Sequence, residues 1–332
     1  MKIKTKVLIP SLLAASSLAI IPTISSSCNE FKNVVGPIKA NYELDTRIKL
    51  DTEDELFKKR AFKAKVTDNS DGDTVTVEAL EDRTEQKIEK GKEYKIRLSG
   101  IDTPEKAVGG VKSEKREYTY ALMSSDFCIK TLSVGKEVIV FADEKDSFGR
   151  TVGDVFFDPT EIKNEEIENA AKPKKDQLEK LKQQFETITS EEEKANLKKQ
   201  IRELEKEIRE LTKKIGIFYK SYCVEIVKAG YSLPLTSDSK INATISSNFT
   251  TEYYTYYLMY QALKYALDTR TGFFKYKINN SIRKIESIYK IKPIGQGYKF
   301  FIDDITPEER TIIPITVPDA EHKFYKNPFN KN

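Results

Sequence analysis

The chain has 332 residues, 33% of them charged, with 56 Lys and Arg against 52 Asp and Glu and a formal net charge of +4. That length holds one large domain or two smaller ones, and the mild basic excess permits an anionic partner without requiring one. A single histidine, His322, and three cysteines without paired spacing exclude a zinc-ribbon site and leave almost nothing for histidine-based catalysis.

Residues 1–28 stand apart from the rest. Lys2, Lys4 and Lys6 precede the apolar run "VLIPSLLAASSLAII", and small residues lead to Cys28. Basic, apolar and small segments in that order form a secretory signal, and the run is short for a spanning helix. Ending in cysteine, it resembles a bacterial lipoprotein signal, although Ser25 stands where leucine is commonest. The resemblance implies lipid attachment at Cys28 and an extracytoplasmic, membrane-anchored protein; a cleaved signal with an incidental cysteine is the alternative. Residues 29–60 are polar and read as a tether with one short helix.

In "EYKIRLSG", Tyr94, Ile96 and Leu98 alternate with Lys95, Arg97 and Ser99, the period-two pattern of a half-buried strand, and across residues 61–160 "AFKAKVTD", "DTVTVEAL", "KEVIVFAD" and "TVGDVFFD" read as strands too. The helical stretch "KREYTYALMSSDFCIKTL" interrupts them. Short strands with turn signals between them predict a small barrel or sandwich. Residues 161–215 differ: Leu178, Leu181, Phe185 and Ile188, then Leu197, Ile201, Leu204, Ile208, Leu211 and Ile215, recur in heptad-like steps among Lys and Glu. The register breaks at Ser190-Glu191-Glu192-Glu193, which has the form of a capping box, so two antiparallel helices are expected. One continuous helix with a phase shift, or a coiled coil with a protein partner, is the alternative. "YKSYCVEIVKAGYSLPL" and "TYYLMYQALKYALDTRTGFF" read as further helices of the globular part, the second stopping at Thr271-Gly272. Cys128 and Cys223 fall in apolar stretches as separate buried thiols. Residues 276–332 form an extension with no predicted place.

Three clusters carry chemistry. "NSDGDTVTV" supplies Asp71 and Asp73 at the entry to a strand, "RLSGIDTPE" supplies Arg97, Asp102, Thr103 and Glu105, and "DSFGR" supplies Arg150 on a glycine turn. Carboxylates with a carbonyl make a hard oxygen site suited to Ca²⁺, and two guanidiniums fork onto phosphate oxygens. A further carboxylate beside them can take a proton from water, and this set is what phosphodiester hydrolysis needs. Each piece alone has an ordinary reading: a hairpin turn, a solvated strand arginine, a strand stop.

Taken in order, "DGDT", "R-x4-DTPE" and "D-x2-GR" resemble the thermonuclease, or staphylococcal-nuclease-like, family over residues 61–160 and 216–275. The resemblance implies an α+β fold: a five-stranded OB-fold barrel with packed helices, here carrying 161–215 as an inserted helical hairpin. It implies hydrolysis of DNA or RNA with Ca²⁺. Asp73, Asp102 and the Thr103 carbonyl match the metal ligands, Glu105 the general base, and Arg97 and Arg150 the phosphate-binding and transition-state arginines. The chain departs from the pattern at Thr236 and Asp238, where tyrosines that stack on the nucleotide are expected, and at Ser147-Phe148 in place of a lysine–tyrosine pair. Tyr231, Tyr253 and Tyr254 are the candidates to replace the stack. The competing reading is a surface-binding lipoprotein that uses the barrel as a scaffold and the hairpin for a partner.

Overall fold

The strand alternation closes into a barrel. The structure, a computed structural model, describes residues 34, 38, 43–50, 52, 54–213, 215–237, 250–279 and 281–301. Cys28, the signal segment, Asp238 and His322 lie outside the described residues.

Strands β1 (Arg47–Lys49), β2 (Ala61–Asp71), β3 (Thr74–Ala79), β4 (Glu93–Leu98), β5 (Ile101–Asp102), β6 (Ala107–Val108), β7 (Val111–Lys112), β8 (Glu137–Lys145), β9 (Thr151–Ile162), β10 (Gly216–Ser221) and β11 (Leu233–Pro234) follow in chain order. β2 pairs antiparallel with β3 and β8, β3 with β4, and β8 with β9, while β4 and β9 run parallel. The β8–β9 pairing joins the two ends of the row β9-β4-β3-β2-β8, which makes a closed five-stranded OB-fold barrel. Closure leaves none of these five strands with a bare edge along the paired region. Val66, Val75, Val77, Ile96, Leu98, Val140 and Val155 point inward and are fully buried.

The helices are α1 (Glu55–Lys58), α2 (Lys115–Thr131), α3 (Glu165–Thr187), α4 (Glu191–Thr212), α5 (Tyr222–Lys228), α6 (Thr251–Thr269) and α7 (Ile282–Glu286). α2 lies against β2, and α6 packs on α5. α6 ends earlier than the Thr271-Gly272 stop: Arg270 takes the left-handed conformation (φ 53°, ψ 48°). Gly272 (φ 56°) follows in close contact with Gly230, where an added Cβ would meet the carbonyl oxygens of Ala229 and Gly230 at 2.3 Å.

Three segments differ from the sequence reading. Residues 43–50 do not form a free tether: Leu44, Thr46, Ile48 and Leu50 are buried in strict alternation, and β1 pairs with β10. Ile48 and Leu50 build a second small core with Phe57, Phe141 and Phe156, while Leu44 joins the main one. "YKS", expected to open a helix, instead completes β10, because β9 continues past the barrel and offers it a partner. Residues 276–301 pack as a strap whose Ile285, Ile288, Ile294 and Tyr298 enter the main core.

The hairpin forms from α3 and α4. Asn164 caps α3 by accepting from the Ile167 N–H at 3.1 Å, and the helix runs through Pro173. Ser190 occupies the N-cap position of α4 without a side-chain cap bond. Ion pairs Lys174–Glu207 (2.5 Å) and Lys182–Glu205 (2.9 Å) fix the antiparallel order, and Ala171, Leu197 and Leu204 fill the seam. Its two ends meet, since Ile162 and Gly216 are cross-strand partners. Replacing 163–215 by a short glycine-containing turn is therefore expected to keep the barrel's cooperative thermal transition. Loss of that transition in a melting experiment would show that the hairpin shares the barrel's core.

Candidate active site

The loop before β3 brings Asp73 against the end of β4, which delivers Arg97; β5 then delivers Asp102, and the Thr103-Pro104 stop turns the chain to Glu105. The register of β3 and β4 pairs Thr74 with Arg97. Arg97 is the hub. Its Nη2 donates to Asp102 Oδ1 at 3.0 Å and stands 3.2 Å from Asp73 Oδ2, while Nη1 donates to the Leu98 carbonyl at 2.6 Å and the Ile101 carbonyl at 3.2 Å. Asp73 Oδ2 also accepts from the Thr103 N–H (3.2 Å) and hydroxyl (3.0 Å). Both aspartates are buried and Arg97 is nearly so. Burial alone would lower the Arg97 pKa, but Asp73, Asp102 and Glu105 outweigh it and push it up.

Gly72 allows this approach. A Cβ there would meet Ser124 Cβ at 2.6 Å and Thr103 Cγ2 at 2.9 Å, so the "DGD" loop sits between α2 and the Thr103 turn without room for a side chain. Lys106 closes the loop from the other side, donating to the Ser70 carbonyl at 2.6 Å and pairing with Asp71 at 3.0 Å.

Glu105 is partly buried, and its backbone N–H faces Glu117 Oε1 at 3.4 Å. Burial, then the Asp73 charge, raises its carboxyl above the ordinary range, with Lys292 pulling the other way. Burial likewise raises Asp102 against the pull of Lys292 and Arg97. Lys292 comes from the strap, its Nζ 3.1 Å from Glu105 Oε1 and 3.3 Å from Asp102 Oδ1. Three carboxylates thus share two cations, so each has a positive partner while the cluster as a whole stays net negative.

Arg150 stands apart from that cluster. It pairs with Asp146 through Nε at 2.7 Å and lies over the Phe148 ring at 5.5 Å. The parallel register matches Arg97 to Val152, two residues beyond Arg150, or about 7 Å along the strand. Two of the expected replacement stackers pack onto the cores, Tyr231 against Phe127 and Phe273 and Tyr254 against Phe57, Phe141 and Phe156, and the half-buried Tyr253 stands edge-on to Tyr254. The exposed aromatic beside an arginine is instead Phe148, 82% accessible. Neither Lys292 nor Glu117 was legible as a site residue, since the second of two lysines in "YKIKP" and one glutamate on a helix carry no motif.

A family model described as staphylococcal nuclease homologue matches residues 95–215. The barrel is that of a staphylococcal-nuclease-like domain. No curated protein gives a significant match to the chain. The matched segment holds Arg97, Asp102, Thr103, Glu105 and Arg150; Asp73 and Lys292 lie outside it and join the Arg97 cluster through the fold. Two substitutions test this geometry. Gly72→Ala is expected to lower stability by about 1–3 kcal/mol through overpacking against α2, and Arg97→Ala by about 3–5 kcal/mol, since it strips a buried carboxylate pair of its shared cation. Urea unfolding measures both, and an Arg97→Ala protein as stable as wild type would remove Arg97 as the hub.

Proposed function

We propose that the chain is a Ca²⁺-dependent nuclease that hydrolyses phosphodiester bonds of DNA or RNA at the cell surface, anchored through lipid on Cys28, and that it serves nucleotide scavenging. The observation that carries the reading is the arrival of Asp73, from outside the matched segment, at the same guanidinium as Asp102, with Glu105 alongside. An ordinary solvated cluster would not bury two aspartates on one arginine.

The donor set fits the cation in kind. Asp73 and Asp102 offer hard oxygens, and the cluster keeps an unbalanced negative charge. Among the described residues no group of three or more His, Cys, Asp or Glu stands ready as a metal cage. Two carboxylates and the Thr103 carbonyl would hold the ion, and water and phosphate oxygens would complete its shell. Bound there, Ca²⁺ supplies charge neutralisation at the phosphate.

The chain's own groups do the rest. Glu105 takes a proton from water at a carboxylate oxygen, and the water oxygen attacks phosphorus in line with the leaving oxygen. Its raised pKa makes it a stronger base than an ordinary carboxylate while its neighbours keep it oriented. Arg150, on an exposed turn, can leave Asp146 to fork onto the phosphate as negative charge builds. Phe148 beside it offers a face for a base.

Glu105→Gln keeps the shape and loses the base, so turnover should fall by about two to four orders of magnitude with little change in nucleic-acid affinity. Asp73→Asn should raise the Ca²⁺ concentration needed for half-maximal rate, and Arg150→Lys should depress turnover by losing the fork. Hydrolysis of single- and double-stranded substrates, followed against Ca²⁺ and in chelator, reads all three. A wild-type protein inactive at every Ca²⁺ level would instead favour a binding protein. For the anchor, Cys28→Ser should move the protein out of the membrane fraction of expressing cells. Unchanged fractionation and processing would reject lipidation at Cys28.

A further inference from the structure

One cation at the site belongs to no part of the reaction just described. Lys292 lies outside the family match, on the strap that follows α7. A lysine on an untethered tail would be expected to sample solvent, and any ion pair it made would be incidental. This one is aimed. Three residues earlier, the buried Tyr289 hydroxyl donates to the Asp102 carbonyl at 2.8 Å. The Lys290 and Ile291 N–H groups both donate to Glu117 Oε2 at 2.9 Å. Arg116 donates to the Ser287 carbonyl at 3.1 Å, and Ile288 and Ile294 are buried on either side. Glu117 is fully buried and faces the Glu105 N–H with its other oxygen, so one carboxylate fixes both the strap and the turn that carries Glu105.

The ammonium held in this way spans Asp102 Oδ1 and Glu105 Oε1. A dication approaching Asp102 meets a positive charge already 3.3 Å from its ligand oxygen. Both cannot occupy that side of the carboxylate, because like charges so close repel strongly in a partly buried setting. The backbone of the strap is pinned, but the lysine stem is flexible and its side chain is 46% exposed. Lys292 can therefore swing out to solvent without unfolding the strap.

We propose that Lys292 is a tethered counter-cation that keeps the Asp102–Glu105 side of the site closed to a free divalent ion and yields when the ion binds. The inference rests on the metal-dependent reading above and adds a competitor to it. The linkage is reciprocal: whatever draws the ammonium away, such as a phosphate group, strengthens metal binding, and metal binding frees the ammonium for phosphate.

The test is calorimetric titration of the full chain with Ca²⁺ alone, without nucleic acid, on wild type, Lys292→Gln, Lys292→Arg and Asp73→Asn. Lys292→Gln should bind Ca²⁺ about tenfold more tightly or better, because the repelling charge is gone. Lys292→Arg keeps the charge and should stay near wild type, and Asp73→Asn should weaken binding, which locates the ion at this site. Thermal melts beside the titrations show that each variant is folded. Equal Ca²⁺ affinity in Lys292→Gln and wild type overturns the competitor while leaving the nuclease reading intact. Tight binding retained in Lys292→Arg would also overturn it, since shape rather than charge would then matter. No Ca²⁺ binding by any variant, together with hydrolysis that persists in chelator, overturns the metal reading and the competitor with it.

Discussion

The site depends on one guanidinium shared by two buried carboxylates. Arg97 ties the loop before β3, the end of β4 and the start of β5 through Asp73, its own strand's carbonyls and Asp102. A lysine would make a point contact with one of these partners, whereas the planar fork serves several at fixed angles. Removing the arginine would leave negative charge buried without a counter-ion, which is why the polar cluster and the barrel's rim form one unit. The excess of carboxylate over cation that remains is the electrostatic reason for a second positive charge to come to this place.

That second charge is Lys292, supplied by the strap, and the packing explains how. α2 presents Glu117 from its first turn into a fully buried position, where it receives backbone N–H groups from two directions. A carboxylate that satisfies several orphan donors at once does what a turn of regular structure would otherwise do. The strap needs no strand or long helix of its own, because its apolar side chains enter the main core while Glu117 and Asp102 take its polar groups. Site geometry and C-terminal packing are therefore coupled through a single helix.

The barrel was legible because β4 alternates and the other strands are short apolar runs set between turns, and the hairpin because the apolar steps of each arm are helical over several turns. The site residues from Asp73 to Arg150 were legible because their spacing carries chemistry. Other parts were hidden for physical reasons. Leu44, Thr46, Ile48 and Leu50 alternate as well, but charged residues between them and a polar neighbourhood mask a strand that exists only because β10 is there to pair with it. Lys292 and Glu117 act through contacts with residues more than a hundred positions away, and no local pattern announces such a contact. Tyr254 on α6 and Tyr231 just after α5 mislead in the opposite sense, since aromatic residues serve a core as readily as a nucleotide.

The meeting of Ile162 and Gly216 has a consequence for how the chain folds. If 163–215 were a loose loop, joining its ends would cost about 3 kcal/mol more in chain entropy than a two-residue turn. As a helical hairpin it makes its contacts between near neighbours in sequence, which form fast and ahead of distant strand pairings. The ends of β9 and β10 are then delivered side by side by a unit that has already ordered itself. The long interruption behaves as a short one, and β10, with β1 behind it, joins the barrel as though only a turn had intervened.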